Sequence, residues 1–230
     1  MRFDAYLFDV QGTLLDFYTP VNDAVTDYLR DVGHPDLDPG DFTRAWRKDY
    51  FTRVSRLDQL SGAWQKVQRQ YEAGFAAVAE SYGLPTPDAA TAHWVSASWQ
   101  RLVPWPDVRD GLAAIRRDAL TATLSNTDMA TVIGLAKNLD LRFDAYFTAE
   151  IFRRFKPDPQ VYLGALDYLG IAPDRAALVA SHPYDLDAAA ALGLGTVFVS
   201  RPEEYGDAAL AHSADAGQYT QFVTGIDQVD

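Results

Sequence analysis

The chain has 230 residues, enough for one sizeable core or for a core with a smaller inserted domain. It is 48% hydrophobic and 13% aromatic, which excludes a disordered chain. There is no cysteine, so disulfides, thiolate metal sites and cysteine nucleophiles are excluded, and a net charge of −12 without a basic patch argues against a nucleic-acid partner.

Met1-Arg2-Phe3-Asp4-Ala5 places an acid where a signal peptide would be apolar, and no apolar run reaches membrane-spanning length. A cytoplasmic protein without a membrane partner is expected. Tyr6-Leu7-Phe8 reads as a buried strand closed by Asp9 and followed by the turn Gln11-Gly12-Thr13. Residues 17–104 then read as a helical insert. Val21, Val25, Tyr28 and Leu29 recur at helical spacing, as do Trp64, Val67, Tyr71 and Phe75, and no strand pattern occurs. The insert ends at the linker Pro104-Trp105-Pro106.

After the insert the pattern alternates. A helix carrying Val108, Leu112 and Ile115 precedes a strand at 120–125. A helix carrying Val132, Leu135 and Leu139 precedes a strand at 145–147. A helix at 161–169 leads to a strand at 177–180, and a helix at 188–192 to a strand at 196–199. Phe222-Val223 reads as an edge strand. This alternation predicts an α/β doubly wound parallel sheet, built from residues 1–16 and 105–230.

Four stretches fall at predicted strand ends: Asp9-Val10-Gln11-Gly12-Thr13, Leu124-Ser125-Asn126, Lys156-Pro157-Asp158 and Ser181-His182-Pro183-Tyr184-Asp185. In such a sheet these ends share one edge, so their side chains meet. Each alone has an ordinary reading: Asp9 as a turn residue, Ser125-Asn126 or Asp185 as a helix N-cap, Lys156 as a solvated loop cation. All four in this order are hard to explain by chance.

The ordered set resembles the four motifs of the haloacid dehalogenase superfamily. The resemblance implies a Rossmann-like core, a small helical cap at 17–104, and Asp9 as the nucleophile. Most members are phosphatases, which need an acid two positions after the nucleophile and a magnesium site completed by acids of the last motif. Here those positions hold Gln11 and Ser181, and an amide does no useful proton transfer near neutral pH. Asp187 is a partial substitute that reads as part of the next helix.

Displacement of halide by a carboxylate needs neither an acid nor a metal, and no cofactor is expected. The chain is therefore similar to type II 2-haloacid dehalogenases. That likeness implies hydrolysis of short 2-haloalkanoic acids to 2-hydroxy acids through an aspartyl ester. It also admits a homodimer.

The same resemblance distributes roles. Arg47, in Trp46-Arg47, would receive the halide, with Arg44 and Arg53 as alternatives in a shifted register. Thr13 would steady Asp9, and Ser125 would bind the substrate carboxylate. Asn126 would join the halide cradle. Lys156 would pair with Asp9, Tyr162 would support the Lys156 loop, and Asp185 would orient Lys156 and position the hydrolytic water. Gln11, Ser181 and His182 complete the substrate-binding set, and Gln11 makes the pocket more polar than the usual tyrosine. His182, Asp185-Leu186 and Arg201-Pro202-Glu203-Glu204-Tyr205-Gly206 resemble one branch of these enzymes. His182 has two readings, a base for ester hydrolysis or a loop hydrogen bond. The cap aromatics Trp46, Phe51 and Trp64 read either as core or as pocket wall. Two rivals remain: another hydrolase on this scaffold (ring-opening or phosphatase), and a binding protein that has lost catalysis.

Overall fold

A computed structural model describes residues 3–57, 64–215 and 217–230; Met1 and Arg2, part of the N-terminal segment read above, lie outside the described residues. β1 (Ala5–Phe8) is buried along its whole length, as expected of a strand covered on both faces. Beyond the next turn, β2 (Leu15–Asp16) leads to four helices: α1 (Tyr18–Asp31), α2 (Pro39–Leu57), α3 (Val67–Ser81) and α4 (Ala89–Ser96). Each buries a stripe at three- and four-residue spacing, such as Val21, Val25, Tyr28 and Leu29 on α1, or Val67, Tyr71, Phe75 and Val78 on α3.

β3 (Val103–Pro104) pairs antiparallel with β2. The sequence pattern predicts no strand in 17–104, because two extended residues are too few to show alternation. Then come α5 (Val108–Ile115), β4 (Leu120–Ser125), α6 (Met129–Asn138), β5 (Ala145–Thr148) and α7 (Ala149–Phe152). They are followed by α8 (Pro159–Leu169), β6 (Ala176–Ala180), α9 (Pro183–Ala191), β7 (Gly195–Val199) and β8 (Gln221–Val223). Capping fixes α8 at both ends. Asp158 accepts from the Gln160 amide at 2.8 Å, Pro159 opens the first turn, and Gly170 closes the helix at φ 66°.

The six strands other than β2 and β3 form one parallel sheet in the order β5-β4-β1-β6-β7-β8. This is the doubly wound α/β fold that the alternation predicts. Its core joins Leu7, Leu124 and Leu178 of the sheet to Val161 and Leu166 of α8 and Leu186 of α9. From β1 the chain winds outward through β4 and β5, then returns to the other side of β1 with β6, β7 and β8. The winding direction reverses at β1, and ligands of such sheets bind beyond the strand ends at that reversal. Phe8 stands in register with both Thr123 and Val179, so β1, β4 and β6 end side by side.

α9 starts earlier than its apolar pattern predicts. His182 is its N-cap residue, so Asp185 is not a cap but a buried member of the first turn, where the helix dipole favours a carboxylate. Among the described residues no helix is long and apolar enough to cross a membrane. The chain divides into two compact units, Met1–Asp16 with Val103–Asp230, and Phe17–Leu102.

Candidate active site

Asp9 follows β1 directly, its amide donating to the Val179 carbonyl at 3.0 Å. Its carboxylate is almost wholly buried and its two oxygens are treated differently. Oδ2 accepts from the Thr13 hydroxyl at 2.7 Å and faces His182 Nδ1 at 3.1 Å, while Oδ1 accepts from Lys156 Nζ at 3.0 Å. Burial alone would raise the Asp9 pKa. The Lys156 charge, the His182 bond and charge, and the Thr13 bond outweigh it and hold Asp9 well below the usual carboxylate range.

Thr13 is itself oriented. Its one proton goes to Asp9, so its oxygen accepts from the Ser181 amide at 2.9 Å, and the Ser181 hydroxyl at 3.0 Å must also donate to it. The loop carrying Asp9 and Thr13 closes on itself. The Leu14 and Leu15 amides both reach the Val10 carbonyl at 3.0 Å, and the Gly12 amide reaches the Leu15 carbonyl at 2.8 Å. Gln11, at the buried tip, bridges to Leu15.

Lys156 lies between two carboxylates. Besides Asp9 it donates a short bond to Asp185, whose other oxygen accepts from the Tyr162 hydroxyl at 2.5 Å. Burial would lower the lysine pKa, but Asp185 and Asp9 overcome it and raise it, so the ammonium persists. Burial, aided by the Asp9 charge, raises Asp185 against the pull of Lys156. The Lys156 backbone is set by Asn126, whose side chain accepts from its amide at 2.7 Å and donates to its carbonyl at 2.9 Å. The N-cap position of the following helix α6 belongs to Asp128, not to the Ser125-Asn126 pair. Ser125 ends β4 and is buried.

His182 engages carboxylates with both ring nitrogens, Asp9 through Nδ1 and Glu204 Oε1 through Nε2 at 2.7 Å. Burial would lower its pKa; the Glu204 charge and the bonds to Asp9 and Glu204 outweigh it and push it up to about 10. Both carboxylates thus favour the imidazolium near neutral pH while Asp9 is ionised, which counts against His182 as a base in that state.

Glu204 is not among the residues the sequence places at the site. Its carboxylate packs against Gly12 where any side chain would collide, and Gly12 also has φ 93°, so the position requires glycine twice over. Arg201 is likewise unexpected. It donates to the Thr13 carbonyl at 2.8 Å and forks onto Asp107 through two further bonds of 2.8 Å. Trp105, which the sequence places in a linker, donates from its indole to the Gly12 carbonyl at 2.8 Å. The only sequence signal for Glu204 and Arg201 is the Arg-Pro-Glu-Glu-Tyr-Gly string, which by itself names no partner.

Arg47 belongs to the other unit. It is 4% exposed, on α2, with its guanidinium carbon 4.5 Å from the Phe17 ring centre, 4.6 Å from Phe51, 5.4 Å from Tyr50 and 5.5 Å from Trp99. The alternatives differ. Arg44 pairs with Asp41 at 2.6 Å, and Arg53 pairs closely with Asp49. Trp46 is fully buried, its indole donating to the Tyr71 carbonyl at 3.0 Å, whereas Phe51 and Trp64 are half-buried.

A family model described as haloacid dehalogenase-like hydrolase matches residues 3–193. (S)-2-haloacid dehalogenase 1 of Pseudomonas sp. (strain CBS-3) is 30% identical over 214 residues, covering 90% of each chain. (S)-2-haloacid dehalogenase 4A of Burkholderia cepacia is 27% identical, covering 92% of this chain and 90% of its own. A solved L-2-haloacid dehalogenase superposes with a TM-score of 0.86 at 34% identity, covering 98% of this chain and 96% of that one. A solved defluorinating L-2-haloacid dehalogenase gives 0.87 at 30% identity, with 99% and 96% coverage. The Asp9 loop, the Lys156 loop and the His182–Asp185 turn thus stand in a chain that belongs to the haloacid dehalogenase-like hydrolases.

Proposed function

We propose that the chain hydrolyses short (S)-2-haloalkanoic acids to 2-hydroxy acids, with Asp9 as nucleophile and without a metal. The observation that carries this reading is the Asp9 carboxylate held between Lys156 and His182, with an amide, Gln11, two positions on. Oδ2 already meets two hydrogen-bonding groups and Oδ1 only Lys156, so Oδ1 keeps the lone pair for attack. It displaces halide from C2 with inversion, and the halide leaves with the bonding pair. Water then adds to the Asp9 carbonyl carbon. The former Oδ1 departs as the product hydroxyl, one water proton ends on that hydroxyl, and the other passes to solvent.

The donor set does not suit the magnesium ion of the family's phosphatases. Asp9 and Asp185 are both occupied by the Lys156 ammonium, and the last-motif position nearest Thr13 is the Ser181 hydroxyl. Among the described residues no cluster of three acidic or imidazole groups is placed to hold a metal. A divalent cation would have to sit beside two buried positive charges.

In this reading Lys156 keeps Asp9 ionised, and Asp185 with Tyr162 holds Lys156 and positions water. Ser125 and Asn126 meet the substrate, and Arg47 receives the halide. A guanidinium, always charged and many-donored, suits that last role. The test is one turnover on 2-chloropropionate in heavy-oxygen water, without added metal, followed by mass spectrometry. The expected result is halide release with the label in Asp9, and labelled product only in later turnovers. Label in the first product would mean direct attack by water. Magnesium-dependent phosphate release without halide would establish the phosphatase reading instead.

A further inference from the structure

We propose that His182 is a catalytic residue of ester hydrolysis, its Nδ1–H joining the Thr13 hydroxyl to hold the oxyanion formed on Asp9 Oδ2, and that Glu204 is the positioning residue that keeps the ring in place for this. The inference rests on the ester mechanism above. In that ester the substrate carbon sits on Oδ1, so Oδ2 is the carbonyl oxygen. When the water oxygen bonds to the carbonyl carbon, the π pair moves onto Oδ2 and one water proton goes to solvent. Collapse re-forms the double bond to Oδ2 and breaks the bond to the former Oδ1, which takes the remaining proton. Charge thus appears on Oδ2 and disappears again within the second half-reaction. The two groups already aimed at that atom are Thr13 Oγ at 2.7 Å and His182 Nδ1 at 3.1 Å, near the distances an oxyanion hole requires.

Hydrogen bonding favours a charged ring. Ionised carboxylates are acceptors only, so a ring bonded to two of them carries a proton on each nitrogen. The upward shift of its pKa to about 10 agrees.

The role of Glu204 follows from what alkylation does. Once Asp9 is an ester its negative charge is gone, and an imidazolium held by Asp9 alone would lose its counterion when it is needed. Glu204 is not alkylated and keeps its contact with Nε2. It is buried, 2.7 Å from Nε2, and packed against the Cα of Gly12, so its position is set by the nucleophile loop itself. The other titratable groups facing the ring are His212, its centre 5.5 Å away in an edge contact, and Tyr184 at 5.8 Å.

The test separates the two half-reactions in the wild type, His182→Ala and Glu204→Gln by rapid quench with 2-chloropropionate. Halide reports alkylation, and the mass of the Asp9 peptide reports the ester. In His182→Ala the loss of one oxyanion donor should slow hydrolysis by about 10²–10³, so that the ester accumulates while first-turnover halide release persists. Should His182→Ala fail to fold, Glu204→Gln decides. It keeps an acceptor for Nε2–H but removes the charge. Its ester should also accumulate, and its hydrolysis rate should decline with rising pH at a lower pH than that of the wild type, because the ring loses its remaining counterion. A purely structural Glu204 would move no pH profile. Wild-type hydrolysis rates and an unmoved profile in Glu204→Gln, or a defect confined to alkylation, would overturn the inference. No halide from the wild type would overturn the ester reading and this inference with it.

Discussion

The two units bury cations by different means. In the unit of Met1–Asp16 with Val103–Asp230, charges alternate in a line: Asp185, Lys156, Asp9, His182, Glu204. Each cation of that line lies between two carboxylates, and Asp9 is at the centre. In the unit of Phe17–Leu102, the buried Arg47 guanidinium is surrounded by four aromatic faces. An alternating line tolerates burial only while it is complete, because each missing member strands its neighbours without water or counterion. An aromatic cage depends on shape, since flat rings best match a flat, weakly hydrated cation. The first region should thus be sensitive to lost charge and the second to lost planarity.

Lys156→Met is expected to have the largest effect. It leaves Asp9 and Asp185 buried and facing each other, at a cost of about 3–5 kcal/mol in urea unfolding, the usual result of breaking a buried pair from one side. Halide release should fall with it, because Asp9 loses its principal counterion. Adding Asp185→Asn should restore part of the stability but little activity. Wild-type stability in the single variant would show that the line of charges does not act as a unit.

The next effect is one of pH. The pKa of His182 is raised from an ordinary 6.5 to about 10 in the fold. The stabilisation it brings is therefore complete below pH 6.5, shrinks as pH rises, and is gone above about 10. Each tenfold gain in proton affinity is worth about 1.4 kcal/mol, so the loss is on the order of a few kcal/mol. Urea unfolding between neutral pH and pH 10.5 should show a falling curve for the wild type, and a flatter one for His182→Gln once their difference is taken. Asp9 works in the opposite sense. Its depressed pKa adds stability above the ordinary carboxylate range, and that stability is lost on acidification.

Much of the alternating line is legible in sequence, and the reason is local. Asp9, Thr13, Ser125, Asn126 and Asp185 sit at or just beyond ends of parallel strands, Lys156 follows β5 after the short α7, and such ends converge whatever the loops between them do. The strand at 120–125 can be placed to the residue because Leu-Thr-Ala-Thr-Leu-Ser follows the charged turn Arg116-Arg117-Asp118. Glu204 is hidden because its partners are His182, 22 residues away, and a glycine 192 residues away whose relevant property is a missing side chain. The charge of His182 is hidden for the same reason: a histidine's pKa depends on what packs against it, and here half of that is Glu204. Asp185 reads as preceding its helix because the alanine run that marks α9 in the sequence starts only at Ala188. In the helical unit, periodicity reveals the faces of α1 and α3, but it cannot show that four rings, two on α2, one just before α1 and one just after α4, close around one guanidinium.

The smallest effect tests that cage. Arg47→Lys keeps the positive charge and loses the planar fork. A lysine ammonium is a compact, strongly hydrated point charge, so burying it among the rings of Phe17, Tyr50, Phe51 and Trp99 costs more water and returns less stacking. Buried cation–π contacts are worth roughly 2 kcal/mol, and a lysine should retain about half of that, so the unfolding free energy should drop by about 1 kcal/mol. If Arg47 receives the halide, the first-turnover rate of halide release should fall by more than that stability loss explains, about tenfold or beyond, since each 1.4 kcal/mol of barrier is a factor of ten. A variant as stable and as fast as the wild type would mean that charge alone matters at Arg47, and that the two units do not differ in the way their buried cations are held.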